Sequence, residues 1–365
     1  MTSDTRPALF SKPIQRETPS YFDEFRQHLV SGLLHSKPFI LLISIYWIIG
    51  FAYLTYFNQI AGSHLFIYVV LLGPLLILIL PAVFIVGASI RAASLKHRRK
   101  LAFRRLFASR NVANFAVGVI LMIMLCVFMG MFTAVKSSFA TLQGFQHDVW
   151  QADLDKLLFF GNDPWQVLFV PFHSIFFQKV IELNYNICWH ILVFAAISFA
   201  AYSDLRSEVK IRYLVSMVLV WVFAGSVFAG LFISAGPAFY GFVTGDELRF
   251  GAQLDTLALY TESTAVKFQE YLWLSYEAAN SGFGTGISAF PSVHVSVVAM
   301  NVFFAFEINR KIGFIALAYA LFVGFSSVYL AWHYAIDGIF GAMIVAAIYY
   351  TTRAVMKKKP LIKAS

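Results

Sequence analysis

His294, His333 and Asp337 stand in two short stretches that are otherwise apolar, Ala289-Phe-Pro-Ser-Val-His294 and His333-Tyr-Ala-Ile-Asp337. Ionisable groups in lipid-embedded helices are expensive and are retained where they have a task. A neutral imidazole can attack phosphorus, and a protonated one can hand a proton to a departing oxygen. A carboxylate can hold one of the rings in the useful tautomer. His333 and Asp337 are four residues apart, so on a helix they share a face and can hydrogen-bond. Pro291 follows the glycine-rich run Ser281-Gly-Phe-Gly-Thr-Gly286 and is expected in the first turn of a helix, where its missing N–H costs nothing. That helix start would offer unpaired N–H groups and the positive end of the dipole to a phosphate, with Ser292 as an added donor. Each motif alone also has a bland reading, a packing histidine or a satisfied polar pair between helices. Metal binding fits less well because no further ligands stand near, and no cofactor is expected.

The elements that must position these residues are read from hydropathy. Of 365 residues, 59% are hydrophobic and 13% charged, about half the charge of an ordinary soluble domain. Eight apolar runs recur, at 38–58, 65–89, 113–135, 185–202, 213–234, 291–306, 312–331 and 334–352. Lipid satisfies no backbone group, so runs of membrane-crossing length must be helices. The fold class is an all-α integral membrane protein of about eight transmembrane helices. The sixth run is short, and the eighth begins with polar groups that suit a wet cavity.

The net charge of +9 is distributed by topology and does not indicate nucleic acid. Arg91 to Arg110 form a basic connection, and Arg206, Lys210, Arg212, Arg310, Lys311 and Lys357 to Lys359 fall in the other alternate connections. This positive-inside pattern predicts both termini cytoplasmic and contact with anionic inner-leaflet lipid. The opposite connections hold only Lys136, Lys156, Lys179, Arg249 and Lys267. His294, His333 and Asp337 all fall at that non-cytoplasmic end, on a periplasmic, extracellular or lumenal side. Residues 1–36 are expected to be a cytoplasmic segment in which Ser20 starts a helix carrying Phe22, Phe25, Leu29 and Leu33 on one face. That helix lies on the membrane surface or packs against the bundle. Residues 37–112 would be two spans and the basic loop, and 353–365 a basic tail. Of the outer segments 137–184 and 235–290, the first suits a re-entrant or interfacial helix pair with Trp150 and Trp165 at headgroup depth. Cys126, Cys188 and His190 read as packing residues.

Pro291-Ser-Val-His294 followed by His333-x-x-x-Asp337 resembles the second and third signature motifs of the type 2 phosphatidic acid phosphatase superfamily. Gly286-Ile-Ser-Ala-Phe-Pro-Ser-Val-His294, Tyr329-Leu-x-x-His333-Tyr and the outer Asp-x-x-Leu and Gly161-x-Asp-Pro-Trp165 stretch are most similar to the inositol phosphorylceramide synthase branch. The resemblance covers about residues 113–352 and implies a six-helix catalytic core, to which the first two spans are added. It implies that His333 is the nucleophile, that Asp337 orients it, and that His294 protonates the departing alkoxide. The superfamily's Lys-x6-Arg-Pro motif is missing, and Ser326-Ser327 stands where the third motif begins Ser-Arg. Something else must therefore meet the phosphoryl oxygens. Ser292, Lys179, Arg249, Lys267 and His173 are the candidates. The expected activity is transfer of a phospho-head-group, such as inositol phosphate, from a membrane phospholipid to a lipid alcohol such as ceramide. The alternatives are a lipid phosphate or pyrophosphate phosphatase, and a lipid transporter or binder without chemistry.

Overall fold

Each apolar run closes its hydrogen bonds within itself, and the computed structural model contains helices and no strand among the described residues. Those residues are 20–95, 97–172, 174–202, 207–260 and 262–356. Lys96, His173, Arg206, the first 19 residues and the tail from Lys357 lie outside them.

The first helix, α1 (Tyr21–His35), begins at the capping box read from the sequence: Ser20 Oγ accepts the Asp23 N–H at 3.2 Å. Of its two expected placements, contact with the bundle is found. Ser109 Oγ donates to Glu24 at 2.7 Å, and Gly32 lies so close to Val117 that a Cβ would stand 2.8 Å from it. Among the described residues seven helices are long and apolar enough to cross a membrane: α2 (Lys37–Tyr56), α3 (Pro74–Ser94), α4 (Ser109–Gln143), α6 (Ile175–Tyr202), α7 (Glu208–Leu231), α11 (Arg310–Tyr329) and α12 (Ala335–Met356). The expected short sixth span is α10 (Val293–Ile308). Its 16 residues reach about 24 Å at 1.5 Å per residue, short of a hydrocarbon core of about 30 Å. Between these lie α5 (Asp148–Leu158), α8 (Leu248–Ala258) and α9 (Thr264–Glu277).

Three boundaries differ from expectation. The second run is a short helix, Ile67–Leu71, followed by α3, which opens with a widened turn at Pro74–Ile79; a proline cannot donate to the ladder there. The third run extends through Lys136 to Gln143, because a helix can carry polar residues wherever its neighbours shelter them. The second half of segment 137–184 forms a pair of short helices, Pro164–Phe172 and the first part of α6. α6 starts behind Ser174, whose Oγ accepts the Phe177 N–H at 3.1 Å, earlier than the apolar run, and passes through a widened turn at Asn184–Cys188.

Packing of α10 against α12 is set by small residues. Gly341 approaches Ser296 so closely that a Cβ would meet its Oγ at 2.4 Å, and Gly338 lies on Val295, as expected where helices touch through small side chains. At the far end of the bundle Arg212 pairs with Glu307 at 2.5 Å. The near ends of α10, α11 and α12 are held by the outer segments, where the histidines lie.

Candidate active site

His333 sits in the tight connection between α11 and α12. Two close backbone approaches build its seat. The N–H groups of Trp332 and His333 both point at the Ser327 carbonyl, at 3.0 and 3.3 Å, and Ala238 N–H donates to Ala331 O at 2.9 Å. Gly236 has φ +92°, and a Cβ there would stand 2.8 Å from the Trp332 carbonyl and 2.9 Å from Ala289. Only glycine allows three loops to pack this closely. One of these loops presents the Ala289 carbonyl to His333 Nδ1 at 2.7 Å, and Asp337 Oδ2 lies 3.2 Å from the same nitrogen. Both partners are acceptors, so Nδ1 carries the proton and Nε2 keeps its lone pair. Burial pushes the imidazole down to about 3, and the Lys136 charge adds to this. The ring is therefore neutral at ordinary pH.

Asp337 is fully buried. Its Oδ2 also accepts the Tyr334 N–H at 3.0 Å, while Oδ1 has no partner among the described residues. The Asp337 carbonyl accepts the Ser292 N–H at 3.1 Å, which ties the start of α10 to the first turn of α12. Ser292 caps α10, its Oγ accepting the Val295 N–H at 3.3 Å. The expectation for this residue is corrected on two counts. Pro291 precedes the cap and does not occupy the first helical turn, and the Ser292 side chain is fully buried and does not line the cavity shared by the two histidines.

His294 follows two residues behind the cap. Its ring stacks on Tyr185, with centroids 4.6 Å apart and planes at 11°, and lies 4.1 Å from Trp189. The Trp189 indole N–H donates to the His294 carbonyl at 3.2 Å. Tyr185 belongs to the widened turn of α6, which brings it and Trp189 onto one side of the histidine.

His294 and His333 line one cavity of about 440 Å³. Its polar end also holds Lys136, His190, Asn186 and Thr133. Its body is apolar, walled by Met129, Phe132, Ile191, Phe194 and Trp221. Trp221 lies ten residues before the end of α7, so the cavity descends about 15 Å into the bundle. His190, expected to pack, lines this cavity with Nδ1 3.0 Å from the Asn186 carbonyl.

Two buried carboxylates from α5 brace the reactive turn, and sequence reasoning gave them no role. Asp148 accepts the Ala235 and Gly236 N–H groups, each at 2.8 Å, and the Tyr334 hydroxyl at 2.8 Å. Asp155 accepts the Ala335 and Ile336 N–H groups at 2.6 and 2.8 Å, capping α12 from another helix. Burial raises both acids, Asp155 to about 7, against the opposing pull of these backbone donors. Asp148 and Asp155 are two turns apart and so share a face. That spacing was the available signal.

The three outer bases proposed for phosphate are elsewhere. Arg249 is held by Asp153 at 2.7 Å and Asp163 at 3.1 Å, stitching α8 to α5 and the loop behind it. Lys267 pairs with Glu262 on the exposed surface, and Lys179 lies over the Tyr260 ring. None of them lines the cavity. Each has its partner within the outer segments. His173 falls outside the described residues. Among the described residues no group of three His, Cys, Asp or Glu side chains could hold a metal.

The family model of the PAP2 superfamily, the type 2 phosphatidic acid phosphatases, matches residues 150–351. This is more than half of the chain, which therefore belongs to that superfamily, a helical membrane family of phosphatases and phosphotransferases. No curated protein and no solved structure matches the chain.

Proposed function

We propose that this member of the PAP2 superfamily transfers a phospho-head-group from a membrane phospholipid to a lipid alcohol, the inositol phosphorylceramide synthase type of reaction. The observation that carries the reading is the pair of imidazoles lining one cavity whose polar end opens into an apolar body. A free phosphate ester needs no apolar shaft, whereas a lipid tail does.

The reaction follows from the proton positions. His333 Nε2 attacks phosphorus while Nδ1–H stays bonded to Ala289 O and Asp337. The bond to the glycerol oxygen breaks, and protonated His294 gives that oxygen its proton. The head group is then attached to His333 through an N–P bond. The acceptor's hydroxyl attacks the same phosphorus, gives its proton to His294 and releases His333, so both rings return to their starting states. Asp337 stabilises the positive charge on the His333 ring in the covalent stage.

The arrangement of basic connections supports cytoplasmic termini and a site on the other face of the membrane, and supports contact of Arg98 to Arg110 with anionic lipid. Purified protein given a head-group-labelled phospholipid, with or without ceramide or diacylglycerol, tests the reaction. A new labelled lipid that requires the added alcohol is expected. Water-soluble label released equally with or without the alcohol would make the protein a hydrolase.

A further inference from the structure

We propose that Lys136 is the cation that holds the substrate's phosphoryl oxygens, taking from the first core helix the task of the basic residues of the missing Lys-x6-Arg-Pro motif and of the one replaced at Ser327. This rests on the reading that the cavity transfers a phospho-head-group.

Lys136 projects from α4 into the polar end of the cavity that His294 and His333 also line. No ion pair involves it among the described residues, and no Asp or Glu lines the cavity. A sheltered cation without a counter-charge is costly unless an anion meets it. The natural anion here is the group that must come within bonding distance of His333 Nε2. Asp337 does not fill this place, because it lies behind His333 on the Nδ1 side.

The lysine is also aimed. Gly286, at φ +100°, lies against its backbone and stem, and a Cβ there would stand 3.2 Å from Lys136 Cγ and 3.1 Å from Ser137 N. Ser137 Oγ and Thr285 Oγ1 are hydrogen-bonded at 3.0 Å on the same seam. The same loop continues to Ala289, which orients His333, and to His294. One segment of chain thus sets the cation, the nucleophile's tautomer and the proton donor relative to each other. As a point charge, a lysine holds oxygens without fixing their orientation, in contrast to the bidentate grip of an arginine.

Lys136→Met and Lys136→Arg would be compared with wild type by calorimetric titration of orthophosphate at low salt and by kcat/KM for head-group transfer. Loss of a charge-assisted contact predicts at least about a ten-fold weaker phosphate affinity and a similar or larger fall in kcat/KM for the methionine variant. The arginine variant should recover most of both. A methionine variant that binds phosphate and turns over like wild type overturns the role of Lys136 and leaves the transferase reading standing. A wild type that neither binds phosphate nor turns over phospholipid overturns that reading and the lysine's role with it. If the methionine variant unfolds, an arginine variant that is folded but has lost phosphate binding and turnover also refutes the point-charge role.

Discussion

Replacing Asp337 by asparagine should separate charge from tautomer at the nucleophile. Asp337 Oδ2 stands 3.2 Å from His333 Nδ1, but the Ala289 carbonyl is nearer, at 2.7 Å. Asparagine therefore leaves an acceptor that keeps the proton on Nδ1 and the lone pair on Nε2. What is lost is the negative charge facing the imidazolium that forms when Nε2 bonds to phosphorus. A hydrogen bond to a charged group is worth about 1.5–3 kcal/mol, or roughly 10- to 150-fold in rate. The bare Coulomb term at this distance, at an effective dielectric of about 20, sets a ceiling near 5 kcal/mol. A fall in kcat of about 10- to 150-fold is expected, smaller than the roughly 10⁴ seen where replacing an aspartate also reverses a tautomer. Stability should move the other way. The carboxylate is fully buried and its Oδ1 has no partner among the described residues, so neutralising it leaves the melting temperature in detergent unchanged or higher. The assay is single-turnover transfer from a labelled phospholipid in mixed micelles, with thermal unfolding of the same samples. A folded variant losing less than about ten-fold in kcat would refute the charge role. So would a further loss on adding the change to His333→Ala, since no charge then develops there.

Asp155→Ala should lower thermal stability and transfer activity together, because the first two N–H groups of α12 lose their acceptor; about 0.5–2 kcal/mol is expected from a lost cap. Unfolding curves and turnover on one preparation check this. Gly286→Ala forces a Cβ into a left-handed residue against Ser137 and Lys136 and should reduce both phosphate affinity and stability, while Gly245→Ala, also left-handed but open on all sides, should cost stability alone. For pH, the native His333 titrates near 3 against 6.5 in the unfolded chain, through burial and the Lys136 charge. Between those values the unfolded state binds a proton that the native state refuses, so this residue's contribution to stability falls as pH drops from about 6.5 toward 3. Wild type should therefore lose stability relative to His333→Gln across that window, and a constant difference would contradict the assignment.

Much of the site was legible because its chemistry is local. His333 and Asp337 are one helical turn apart, and alternating basic connections put His294 at the same end of the bundle. The short sixth span was legible from its length. What escaped was held by distant partners. Lys136 reads as the charge that ends an apolar run, yet its helix continues and the glycine loop 150 residues later covers its stem. Asp148 and Asp155 had no role in the sequence reading, yet they receive N–H groups from residues 87 to 181 positions away. Arg249 and Lys267 were plausible phosphate ligands by charge alone, and both are spent on carboxylates beside them. Ser292 was correctly placed at a helix start, but its side chain is fully buried and does not line the cavity that holds the histidines.

The central claim is that His333 carries the head group between donor and acceptor. Wild-type protein mixed with a phosphorus-labelled phospholipid in the absence of lipid alcohol, quenched in alkali and digested, should yield a labelled peptide with the phospho-head-group on His333. Label that never becomes covalent, or that maps to any other side chain, would contradict it.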